Sequence, residues 1–119
     1  MSFNWYARKV RNPRLTIWTR RSAFYSCVLR YCWLTHQPYL KTRTALTAQF
    51  GLDYPTGPNE HALLDALDTL ERARHQFLEQ LRAFERRRLR QKWYGYRSPR
   101  ASDLQTLYAG SDALIADVG

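Results

Sequence analysis

The side chains with the greatest chemical capacity in this sequence are guanidinium groups: 16 of its 19 cations are Arg, and eight cations fall between positions 82 and 100. Arg82, Arg86, Arg87, Arg88, Arg90, Lys92, Arg97 and Arg100 run together with Trp93, Tyr94 and Tyr96. A guanidinium is planar, permanently charged and carries a fork of donors matched to phosphate or carboxylate, while aromatic faces stack on bases. This segment is therefore equipped to neutralise phosphates with its cations and to stack bases on Trp93 and Tyr96. Arg86, Arg87 and Arg88 are consecutive and so spread around a helix, which burial does not explain. The competing reading is a solvated helix end whose cations suit the helix dipole and whose Trp93 and Tyr94 pack inward.

A second cluster opens the chain, where Phe3, Trp5 and Tyr6 interleave with Arg8, Lys9, Arg11 and Arg14. A basic aromatic arm of this kind can follow a groove or backbone of nucleic acid, with Arg8, Arg11 and Arg14 as the contacts. It fits equally an arm that packs its rings on a core and leaves its cations in water. The Arg bias itself also arises without function in GC-rich coding sequences.

Catalytic patterns are missing from the sequence. His36, His61 and His75 form no motif, Asp65 and Asp68 are the kind of pair that commonly decorates a helix start, and five glycines form no phosphate loop. Cys27 and Cys32 lie five apart on a segment read as helix, so they imply neither a disulfide nor, with the scattered His, a zinc site. A non-enzymatic protein without metal or cofactor is expected.

The charge is laid out in blocks. Residues 1–52 hold nine cations and no acid, 53–81 sum to −4, 82–100 to +7 and the tail from Ala101 to −3, for a net +9. Two basic territories flank an acidic middle, and such like-charged blocks repel unless an anion joins them. The apolar run from Ala23 to Leu34 is interrupted by Arg30 and is too short for a bilayer span of about 20 residues. No secretory signal is recognisable, and an acid-free start resembles a transit peptide only superficially, given Trp5, Trp18 and Trp33. With few thiols and no such signals, an intracellular, cytoplasmic protein is expected.

These groups need elements to hold them, and a chain of 119 residues has room for a single domain. Residues 1–14 show no clean period and Asn12-Pro13 marks a turn, so 1–14 reads as an irregular arm, and 15–21 as extended chain. Ser22 is a plausible N-cap for a helix over 22–36, in which Phe24, Cys27, Val28, Tyr31 and Thr35 make one stripe. Pro38 ends it, a helix over 39–50 stops at Gly51, and 53–58 is a loop. The clearest element spans about 59–93, opened by Asn59. Leu63, Leu67, Leu70, Phe77, Leu81 and Phe84 follow a four-three repeat in it. About 34 residues would reach roughly 50 Å, longer than so small a domain is wide, so part must project, kink or dimerise. Ser102 to Tyr108 could cap a last short helix, and the acidic tail 101–119 is expected to be partly mobile.

The sequence thus predicts a small all-α domain, one long helix at about 59–93 packed on two shorter ones, with homodimerisation through the long helix a reasonable consequence of the repeat. Its expected function is non-catalytic nucleic-acid binding, DNA ahead of RNA, as a small regulator or accessory factor. Residues 42–52 with the helix from Asn59 have a generic helix-turn-helix flavour, but the Pro-rich connection is long and Glu60, Asp65 and Asp68 would repel phosphate. The rival is an adaptor or inhibitor that docks its basic surface on an acidic protein. A third reading is peripheral membrane attachment through the aromatic, acid-free N-terminus.

Overall fold

Ser2 starts the first helix: its hydroxyl accepts from the Trp5 N–H at 3.2 Å, and α1 (Phe3–Val10) follows. The computed structural model describes residues 1–53 and 58–94, with side chains as far as Arg90, and adds α2 (Ile17–Thr35), α3 (Tyr39–Phe50) and α4 (Glu60–Tyr94). No strand occurs among the described residues, and the long helix packs against shorter ones as the periodicities predict. Among the described residues the shorter helices number three, not two. The expected acidic tail, the short helix from Ser102 and positions 54–57 of the loop lie outside the described residues.

The first correction is α1, read from sequence as an irregular arm. Phe3, Ala7 and Val10 lie four and three residues apart and are all buried, an amphipathic stripe too short to register as a period beside Trp5 and Tyr6. The second is the start of α2, five residues before the expected Ser22. Thr16 is the cap, its Oγ1 accepting from the Thr19 N–H at 3.2 Å. The early start was hidden by Arg20, which counts as a break in an apolar stripe yet is 4% exposed and belongs to the buried face with Phe24, Cys27 and Tyr31.

Arg20 joins three helix ends. Its Nε donates to the Val10 carbonyl at 2.6 Å, satisfying an acceptor that the end of α1 leaves without a helical partner, and both terminal nitrogens donate to Glu60 Oε1 at 3.1 Å. The last residue of α1, the first turns of α2 and the first residue of α4 are thereby fixed together.

The other junctions follow the sequence closely. His36 ends α2 in the left-handed region at φ 57°, and Gln37 N–H returns to the Cys32 carbonyl at 3.1 Å. Gly51 ends α3 at φ 63°, where a residue without Cβ is at ease, and Leu52 N–H returns to the Thr47 carbonyl while its side chain enters the core. Asn59 Oδ1 accepts from the His61 N–H at 2.8 Å and so caps α4.

The core gathers Phe24, Val28 and Tyr31 of α2, Leu46 and Leu52, and Leu63, Leu67 and Leu70 of α4, all fully buried. Each such apolar side chain contributes roughly 1.5–3 kcal/mol, several times an exposed ion pair, so apolar burial and not charge pairing holds the helices together. The four-three stripe of α4 is consumed in doing so: Leu63, Leu67 and Leu70 face α1–α3 of the same chain, and Phe77 is also fully buried. What the repeat offers a second copy is confined to positions beyond it.

The Arg20 junction is unequal, because the guanidinium is enclosed while Glu60 is more than half exposed. Arg20→Ala should lower unfolding free energy by about 2–3 kcal/mol, leaving the Val10 carbonyl unsatisfied. Glu60→Gln, which keeps an acceptor in place, should cost about 1 kcal/mol or less. Urea denaturation of both variants checks this, and equal losses would contradict the asymmetry.

Candidate functional site

The far end of α4 is set by its periodicity. Arg82, Arg86 and Arg90 recur at four-residue steps and share one stripe, while Arg87 and Arg88 lie round the two sides, flanking Phe84, which is 8% exposed. All five guanidinium groups are exposed, and among the described residues none of them has an acid partner. Upstream on the same helix, His75 and Glu79 face each other at 3.0 Å. Lys92 and Trp93 fall in the last turn of α4, and Tyr96, Arg97 and Arg100 lie outside the described residues.

The N-terminal cations meet a different fate. α1 has two sides about its buried stripe, and the side with Asn4, Arg8 and Arg11 is turned to α4. There Arg11 Nη2 meets Asp68 at 3.3 Å and Glu71, whose otherwise enclosed Oε1 has this guanidinium as its ionic partner without hydrogen-bond alignment. Of the three proposed contacts, Arg11 is therefore engaged within the fold, whereas Arg8 and Arg14 are exposed and lack an acid partner among the described residues. Along the axis of α4, Arg86 lies about 22 Å beyond Glu71 at ~1.5 Å per residue. The two basic territories form separate patches.

Three of the four acids that open α4, all but Asp65, are accounted for by such contacts. Glu60 holds Arg20, and Asp68 and Glu71 hold Arg11, so the first turns of α4 are pinned to the other helices.

A further surface was not singled out from sequence. Lys9 Nζ lies 4.5 Å from the centre of the Trp5 ring, and Arg30 lies 4.4 Å from Tyr6 and 5.5 Å from Trp33, joining α1 to α2. On the other flank Arg21 stacks at 4.7 Å over Trp18, and Arg43 at 4.2 Å over Tyr25, joining α2 to α3. Tyr25 Oη and Thr47 Oγ1 share a hydrogen bond of 2.8 Å beside an open recess of about 470 Å³. The sequence did carry a signal, since Trp18, Ser22, Leu29 and Trp33 fall at steps of four, seven and four, opposite the buried stripe of α2.

Among the described residues no group of three His, Cys, Asp or Glu is placed to hold a metal ion. No family model matches this chain, and neither curated proteins nor solved structures give a match. Cys27 and Cys32 are both free and buried. Cys27 Sγ points at the Phe3 carbonyl, 3.7 Å away, and burial, reinforced by the Glu71 charge, pushes its thiol up to about 12 from an ordinary 9.0. A thiol held protonated is a poor nucleophile, so Cys27 packs and does not react.

This has a pH signature of defined sign. The native state keeps the Cys27 proton while the unfolded chain loses it above about pH 9, so stability is unaffected at lower pH and falls as pH rises from 9 toward 12. Cys27→Ala should remove that component of the alkaline decline, measured by denaturation at pH 8 and pH 10. A decline of the same slope in the variant would show that other groups cause it.

Proposed function

We propose that this protein binds nucleic acid without catalysing a reaction, with duplex DNA favoured over RNA, and acts as a small regulator or accessory factor. The observation that carries the reading is the run of five exposed Arg residues, 82, 86, 87, 88 and 90, unpaired with any acid among the described residues. Their spread round the helix, poorly suited to a flat acidic partner, suits a helix lying between two phosphate walls. B-DNA offers such a space in its major groove, about 12 Å wide, whereas the deep, narrow groove of A-form RNA does not admit a helix.

The Arg run is continuous with the turns of α4 that Arg20 and Arg11 pin to the other helices, so one helix carries both. Arg8 and Arg14 supply a second patch at a distance, which strengthens attraction to a long polyanion more than to a small one. Lys92 and Trp93 extend the same helix, and Arg97, Arg100 and Tyr96 follow in sequence. A homodimer would double the number of phosphates reached, but beyond Phe77 the repeat is covered too, with Leu81 half-buried and Phe84 buried, so the stripe gives such a dimer little apolar surface.

Salt dependence tests the reading. Each phosphate neutralised on duplex DNA contributes a slope of about −0.9 in log K against log salt, so Arg87→Ala with Arg88→Ala should flatten the slope by nearly two. Arg11→Ala, whose guanidinium is held by Asp68 and Glu71, should leave it unchanged. Fluorescence anisotropy with a labelled duplex at several salt concentrations gives both slopes. Absence of binding, or an unaltered slope in the double variant, would refute the assignment.

A further inference from the structure

The helix arithmetic places α2 at the centre of a layer whose outward side is chemically uniform. Trp18, Ser22, Leu29 and Trp33 ride the crest of α2, away from its buried stripe. Trp5, Tyr6 and Lys9 occupy the flank of α1 that meets Arg30 and Trp33, opposite the flank that pairs with Asp68 and Glu71. On α3, Leu40 falls on the same flank as Arg43 and Thr47, which meet Tyr25 of α2. The Met1 carbonyl is held by Arg30 Nε at 2.6 Å, placing the exposed Met1 beside the same face. α4 and its free arginines lie behind.

We propose that this face is a docking surface for an anionic lipid bilayer, on which the protein lies with α2 parallel to the plane of the headgroups. Three features select that occupant. Trp18, Trp33 and Leu40 are 46%, 64% and 72% exposed, large apolar groups that reach outward from a crest and not into a groove. Indole rings favour the headgroup region, where their apolar body and polar N–H are both satisfied, and Leu and Met enter the acyl boundary below it. Charge complements this: residues 1–52 contain no acid, and the one carboxylate bordering the face among the described residues, Asp53, is paired with Arg21 at 3.6 Å, so α1–α3 present a net positive charge to anionic lipid.

The cations are arranged for that role. Arg30, Arg43 and Lys9 are parked against ring faces without an acid partner among the described residues, which keeps them at the margins of the apolar crest with charge still to offer, while Arg21 lies over Trp18 and is paired with Asp53. Single-stranded nucleic acid would also be attracted, but the sequence-tolerant strand sites combine stacking rings with a basic groove, and neither Leu40 nor Met1 can stack on a base. No helix among the described residues is long and apolar enough to cross a membrane, consistent with a protein that rests on the surface.

The test uses the full chain and vesicles of phosphatidylcholine mixed with phosphatidylglycerol, against vesicles of phosphatidylcholine alone. Flotation should bring the protein up with the anionic vesicles only, and brominated acyl chains should quench its tryptophan emission. Trp33→Ser with Leu40→Gln should lower partitioning about tenfold, as expected for losing part of two apolar contacts. Leu40→Gln alone should give a smaller loss with an unchanged melting curve, which separates docking from folding. Arg87→Ala with Arg88→Ala should leave quenching intact, so failure of this proposal and failure of DNA binding through α4 read differently. Lack of partitioning, or partitioning that ignores Trp33 and Leu40, overturns the proposal. So does a single-stranded oligonucleotide that shifts the emission, in a Trp33-dependent way, where vesicles do not.

Discussion

The architecture depends on one enclosed cation. Arg20 is 4% exposed, and moving a guanidinium out of water costs several kcal/mol unless partners replace the solvent. Here those partners are the Val10 carbonyl and the Glu60 carboxylate, which lie 10 and 40 residues away in sequence. The requirement to satisfy a single planar group therefore dictates where three helix ends must meet. Once they do, α1 is held with its aromatic flank beside the crest of α2 and its Arg11 flank against α4, and the two basic surfaces are separated.

Arginine performs three distinct tasks in this chain. Arg20 is a buried joint; Arg11, Arg21 and Arg30 are tied to carboxylates or carbonyls at the seams between elements; Arg82 to Arg90 stand exposed, without acid partners among the described residues. Net charge cannot distinguish them. The separation by role is a matter of which acid or carbonyl lies within reach: the acidic start of α4 takes up Arg20 and Arg11, Asp53 and the Leu52 carbonyl take Arg21, and the Met1 carbonyl takes Arg30. An apolar core of ordinary size leaves the seams free to be polar, since the burial of Phe24, Tyr31, Leu63, Leu67 and Leu70 outweighs what the ion pairs contribute.

Elements whose formation is local were legible in the sequence. α3 ends where Gly51 can turn left-handed, and α4 begins at the Asn59 cap and runs along its four-three stripe, because caps and periods act within a few residues. α1 and the early start of α2 were not legible, for a physical reason. Phe3, Ala7 and Val10 make a stripe of three residues whose meaning depends on α2 being beside it, and Arg20 reads as a surface charge until Val10 and Glu60 are brought to it. The candidate site divides the same way. The cluster at Arg82 to Arg90 is a property of one helix and was visible, whereas the engagement of Arg11 and the ring contacts of Arg21, Arg30 and Arg43 arise between helices.

The joint at Arg20 also constrains the order in which the chain settles. An eight-residue helix such as α1 is marginal in isolation, since nucleating a helix costs more than so few turns return. Its closing carbonyl waits for position 20, and position 20 waits for the carboxylate at 60, 40 residues further on. During vectorial synthesis, then, the joint stays incomplete until the carboxylate 40 residues after Arg20 has emerged, and the tryptophan and tyrosine of α1 are on offer to chaperones until it closes.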